Sequence, residues 1–134
     1  MDRTSYTNLA KSWEYVEDHA FPRQSAELNA IRTAAEEAGI PQGSAAQAEL
    51  LRMLVRMLDA SSVIAIGTGS VVETMQLING LDNAGQLTAV DSSTQGIALI
   101  RKLFNRLSDD TETTLRAVNA SAGVFLPRLN AENY

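Results

Sequence analysis

Along the first twenty residues the apolar positions Tyr6, Leu9, Trp13, Val16 and Ala20 recur at steps of three and four, which lines them along one face of a helix. Pro22 predicts its end, because proline has no amide with which to continue the ladder. A second helix is predicted from about Ser25 through Leu28, Ile31, Ala35 and Ala38, with Gly39 suited to a left-handed cap and Pro41 unable to extend it. In the third, "SAAQAELLRMLVRMLD", the spacing predicts that Leu50, Leu54, Met57 and Leu58 are buried, while Glu49, Arg52, Arg56 and Asp59 form a solvated stripe.

The period then changes. Val63, Ile64, Ala65 and Ile66 make a short continuous apolar run, the pattern of a parallel strand covered on both faces. Val71, Val72, Met75 and Ile78 return to helical spacing, with Gly80 expected to close the helix and "DNAG" to turn the chain into a second strand, "QLTAV", which ends at Asp91. Ile97, Ile100, Leu103, Phe104 and Leu107 predict another amphipathic helix, the polar "SDDTE" a loop, and Thr113 to Val118 a third strand.

Alternating strands and helices with right-handed crossovers give an α/β, Rossmann-like parallel sheet in the order three, two, one. Residues 1–60 are then N-terminal helices, and residues 61–134 are half of a doubly wound fold within one domain. The final stretch, "NASAGVFLPRLNAENY", predicts a short helix stopped around Pro127, with a fourth strand expected to follow. That fourth strand would pair with the first, so without it the "SVIAI" edge carries unpaired backbone groups and a homodimer is the expectation.

Composition narrows the picture. The 134 residues carry a net charge of -5, with arginines scattered among acids, so the basic stripe of a nucleic-acid binder is missing. No apolar run approaches the roughly 20 residues needed to cross a bilayer. The first twenty residues lack the apolar core and small-residue cleavage site of a signal peptide, and there is no cysteine, so a cytoplasmic location is expected.

The chemistry gathers where the first strand turns into a helix. Gly67 and Gly69, with Thr68 between them, allow positive φ and the close approach of a ligand to bare backbone at a helix N-terminus, which favours an anion. Asp91, at the tip of the neighbouring strand, is placed to accept hydrogen bonds from a ribose diol, and together these suggest an adenosine-containing ligand. Val72 stands where the dinucleotide fingerprint has its third glycine, so "GTGSVV" matches that motif in part. A strand-to-helix connection without a ligand, and a helix-capping Asp91, are the plainer alternatives.

"AELLRMLVRMLDASSVIAIGTGS", followed by "GQLTAVD" and "FLPRL", resembles the S-adenosylmethionine-dependent O-methyltransferases of the catechol O-methyltransferase type, from about Ile40 to Tyr134. The helices ahead of the first strand also fit that family better than a nicotinamide-dependent oxidoreductase. The resemblance implies methyl transfer from S-adenosylmethionine to a hydroxyl of a small molecule. It implies that Gly67 and Gly69 line the methionine end of the cofactor and Asp91 holds the ribose. Ala122 and Gly123 would flank the adenine, and Gly43 and Ser44 would offer backbone contacts to the cofactor carboxylate. A divalent metal would be held by acidic residues beyond Tyr134, so neither a metal ligand nor a catalytic residue is assigned within the chain. The sequence departs from the family pattern at Ala65, commonly acidic, near Val71, commonly glycine, and at Glu73, commonly serine. A carboxylate at position 73 would face the cofactor's own. A non-catalytic partner domain with a decayed site, and a nicotinamide-dependent half, are the rival readings.

The remaining chemical residues read as structural. His19 suits the end of the first helix, Trp13 with Tyr6 and Val16 reads as a packing stripe, and Glu36, Glu37 and the "SDDTE" loop read as solvated surface.

Overall fold

The computed structural model describes residues 3–67 and 69–129, with residues 3–7 described by backbone alone. Three helices come first: α1 (Arg3–Ala20), followed by a tight turn at Phe21–Arg23, then α2 (Ala26–Glu37) and α3 (Ala45–Met57). Strands and helices then alternate as β1 (Ser62–Ile66), α4 (Val71–Leu81), β2 (Gln86–Asp91), α5 (Thr94–Leu107), β3 (Thr114–Asn119) and α6 (Ala122–Phe125), with a last turn at Leu126–Arg128 that contains Pro127. Serine side chains cap three of the helices. Ser25, Ser44 and Ser93 each accept an amide three residues on, from Leu28, Gln47 and Gly96, at 3.1 Å. Gly39 ends the second helix region at φ +84, as its position predicts.

The sheet is parallel in the order β1-β2-β3, with Ala65, Ala89 and Ala117 in one row across it. This is the predicted order. The central strand is sealed from Leu87 to Asp91, and Leu87, Ala89, Val72, Met75, Ile97 and Ile100 belong to one core with Leu28 and Ile31 from the N-terminal helices. β1 departs from the expectation of a strand covered on both faces: it is half-buried and its Ile66 is exposed. Among the described residues it pairs on one side only, with β2.

The third helix is turned the other way from its prediction. Leu50, Leu54, Met57 and Leu58 are exposed, the last two at 77% and 76%, whereas Ala45, Ala48 and Val55 are buried, with Glu49 and Arg52 half-buried beside them. The reason lies in α4. A Cβ added at Gly80 would sit 2.7 Å from the Arg52 carbonyl oxygen and 2.9 Å from Val55 Cβ, so the two helices approach too closely for a leucine face to lie between them. Gly80 therefore serves the packing, and the helix does not close there. It runs on to Leu81, and Asp82 and Asn83 take the left-handed conformation instead, at φ +53 and +63.

The first helix also differs from a core-facing stripe. Leu9, Trp13 and Val16 are exposed, and the Tyr6 side chain lies outside the described residues. Among the described residues, no helix is long and apolar enough to cross a membrane.

Filling the close approach should be costly. Gly80→Val is expected to lower the free energy of unfolding by about 1–3 kcal/mol through overpacking, while Met57→Ala changes it by less than about 0.5 kcal/mol. Urea unfolding of both variants checks this, and equal losses would return α3 to its predicted orientation.

Candidate functional site

The tips of the three strands meet through backbone hydrogen bonds. The Gly67 amide donates to the Val90 carbonyl at 3.2 Å, and the Ala120 amide donates to the Asp91 carbonyl at 3.1 Å. Gly67, Asp91 and the start of α6 are thereby held side by side. Ala122 and Gly123 form that first turn of α6, with Gly123 exposed. Thr68 lies outside the described residues.

Asp91 itself is 1% exposed. One carboxylate oxygen accepts the Gly69 amide and the other accepts the Ser93 amide at 2.7 Å. It does not cap the following helix, since Ser93 does that. Asp91 instead ties the turn after β1 to the loop after β2. The tie depends on absent side chains: Gly69 sits at φ +79, where an added Cβ would come 2.6 Å from Ile40 Cγ2, and a Cβ on Gly96 would come 2.6 Å from the Asp91 carboxylate.

A residue that the sequence did not single out completes the turn. The Gln42 side-chain amide donates to the Gly69 carbonyl at 2.9 Å and to the Ile40 carbonyl at 3.2 Å, while its oxygen accepts the Val72 amide at 3.0 Å. It thus caps α4, whose own N-cap residue, Ser70, makes no side-chain cap. No local pattern announces such a contact, because donor and acceptor are 30 residues apart.

Gly43 and Ser44 begin α3, and here an internal carboxylate occupies the helix N-terminus. Glu17 of α1 accepts the Ser44 hydroxyl, the Ala45 amide at 2.7 Å and the Ala46 amide at 3.0 Å. Burial pushes the Glu17 carboxyl up, but the Ser44 hydroxyl, the Ala46 and Ala45 amides and the charge of Arg32 together hold it below the ordinary glutamate value. Arg32 is buried, donates to the Gly43 carbonyl at 2.6 Å and to Gln24 Oε1 at 3.0 Å, and lies over the Phe21 ring. On its other side Gly43 faces Glu73: a Cβ at Gly43 would be 3.2 Å from Glu73 Oε1.

Glu73 also lines a hollow of about 160 Å³ at the end of β1, together with Ala65, Gly67, Ser70 and Thr74. A larger hollow, about 630 Å³, lies away from the strand tips between the N-terminal helices and α4, with Tyr15, His19, Arg23, Glu49 and Arg52 on its walls. Its polar groups are mostly engaged with one another. Arg52 holds Glu49 with a bidentate contact that keeps the Glu49 carboxyl low, Gln76 donates to Glu49 at 3.1 Å, and His19 Nδ1 meets the Tyr15 carbonyl at 2.8 Å.

Residues 18–130 match the model of a protein family described as O-methyltransferase. The chain belongs to the O-methyltransferase family. A protein of Mycobacterium sp. (strain KMS) predicted to be an O-methyltransferase is 29% identical over 119 residues, which is 86% of this chain and 54% of the relative. The chain therefore spans about half the length of such relatives. A Corynebacterium glutamicum protein of known structure superposes with a TM-score of 0.76 at 20% identity, over 92% of this chain and 59% of that one. The O-methyltransferase of tomaymycin synthesis from Streptomyces achromogenes, solved in complex with SAM, gives a TM-score of 0.69 at 20% identity, over 92% of this chain and 57% of that one. At these identities the structural likeness establishes the Rossmann-like methyltransferase fold.

Glu17 should make the attachment of α1 dependent on pH. A carboxyl whose pKa is lowered by folding contributes fully above its unfolded-state value, and the contribution is lost as pH falls through the folded one. Hydrogen exchange at the Ala45 and Ala46 amides is therefore expected to accelerate, beyond the intrinsic pH trend, as acid protonates Glu17. In Glu17→Gln that acid step should vanish, and a step that persists would place its origin elsewhere.

Proposed function

We propose that this chain supplies the S-adenosylmethionine-binding part of an O-methyltransferase that moves a methyl group to a hydroxyl of a small-molecule acceptor. Residues 61–134 would form the cofactor half, and residues 1–60 would brace it. The observation that carries the reading is the Asp91 carboxylate at the tip of β2, bonded to the glycine turn that follows β1. An acidic group one strand across from such a turn has the chemistry of a ribose-diol acceptor.

The nucleoside end of the cofactor fits this set of residues. Asp91 would accept the ribose hydroxyls in exchange for the Gly69 and Ser93 amides that it now holds. Bare backbone at Gly67 would lie against the sulfur end, and Ala122 and Gly123 would flank the adenine. The bound cofactor supplies a methyl group activated on a positively charged sulfur. The chain's own work would be to bind the nucleoside and orient that group. Gly43 would lie at the tail. No residue of the chain is assigned to proton transfer from the acceptor or to metal binding.

One observation favours the rival of a decayed, non-catalytic domain: both Asp91 oxygens are already satisfied within a buried clasp. Calorimetric titration of the full chain separates the readings. S-adenosylhomocysteine is expected to bind, and Asp91→Asn, checked for folding by circular dichroism, to weaken it by about tenfold or more, the scale of a lost charge-assisted hydrogen bond. If neither S-adenosylmethionine nor S-adenosylhomocysteine binds the folded protein, the decayed domain is the correct reading. Binding of NAD alone would instead identify a nicotinamide site.

A further inference from the structure

We infer that Glu73 sets the tail specificity of this site, selecting adenosyl ligands by an ammonium group on the tail and disfavouring a carboxylate. The inference rests on the adenosyl-binding reading above and deepens it. Glu73 stands in the first turn of α4 and lines the hollow that Gly67 and Ser70 share. Its Oε1 lies beside Gly43, and among the described residues its hydrogen-bonding neighbour is the Gln47 side-chain amide at 3.5 Å, the outer limit for such a contact. Among the described residues no cation pairs with it. The ion pairs among the described residues are Arg52 with Glu49, Arg56 with Asp82 and Arg106 with Glu27. Arg32, which is bonded to Gly43, directs Nη1 to the Gly43 carbonyl and Nη2 to Gln24, leaves its buried Nε without a partner, and makes no ion pair with Glu73.

The helix N-terminus that would ordinarily attract an anionic ligand is already occupied. Gln42 takes the Val72 amide, and Glu73 places a negative charge in the first turn, where it complements the positive end of the helix. Asp91 adds a second carboxylate at the same strand tips. A ligand carboxylate brought beside Glu73 meets like charge, whereas an ammonium group meets a carboxylate that no described cation pairs and forms a charge-assisted hydrogen bond. S-adenosylmethionine carries both groups, so it would be held by its nucleoside and its ammonium with its carboxylate turned away. A ligand without that carboxylate fits better.

The test compares three probes on the full chain: S-adenosylhomocysteine, its decarboxylated counterpart, which keeps the amine, and methylthioadenosine, which has neither group. The wild-type protein is expected to bind the decarboxylated ligand at least about tenfold more tightly than S-adenosylhomocysteine, a single unit-charge contact in a partly solvated site. Glu73→Gln keeps the side-chain size and should bring that ratio close to one while leaving methylthioadenosine affinity unchanged. Equal or tighter binding of S-adenosylhomocysteine by the wild type, or a ratio unmoved in Glu73→Gln, overturns the inference and leaves the adenosyl reading intact. If all three probes fail to bind, methylthioadenosine included, the adenosyl reading falls and this inference with it.

Discussion

The buried carboxylate of Asp91 is the constraint from which the architecture of the strand tips follows. A charge withdrawn from water is tolerable only when its oxygens are hydrogen-bonded, and Asp91 finds its partners in two backbone amides from two different loops. Gly69 and Gly96 must both lack side chains for those loops to converge on it. The β1–α4 turn and the β2–α5 loop are thus drawn onto one group. Gln42 reaches that same turn through the Gly69 carbonyl.

The helices ahead of β1 are tied to the same corner. Gln42 reaches from the segment between α2 and α3 to the glycine turn, and Glu17 reaches from α1 to the start of α3. Arg32 joins α2 to Gly43. Polar side chains acting over long sequence separations therefore position the N-terminal helices, while the tight apolar contact at Gly80 fixes how α3 lies on α4.

Much of the fold was legible in the chain because periodicity reports it directly. The change from helical spacing to the run Val63–Ile66, the glycine turn and Asp91 at the end of "QLTAV" are local signals, and they yielded the parallel order of the sheet. The face of α3 was not legible. Periodicity separates an apolar stripe from a polar one, but which stripe meets α4 depends on the space between the helices, and Gly80 sets that space from outside the segment. Glu17 and Gln42 were missed for a related reason, since a glutamate in an amphipathic helix and a glutamine in a loop carry no local mark of a distant backbone partner. Glu73 was visible as a departure from the family pattern, and its position beside Gly43 gives that departure a physical meaning.

The clasp is most directly tested at the Gly69 amide in the unliganded protein, by amide hydrogen exchange followed with nuclear magnetic resonance. If Asp91 holds that turn, the Gly69 amide exchanges slowly in the wild-type protein and loses its protection in Asp91→Asn while the central amides of β2 keep theirs. A Gly69 amide that exchanges as freely as an exposed loop in the wild-type protein would contradict the account.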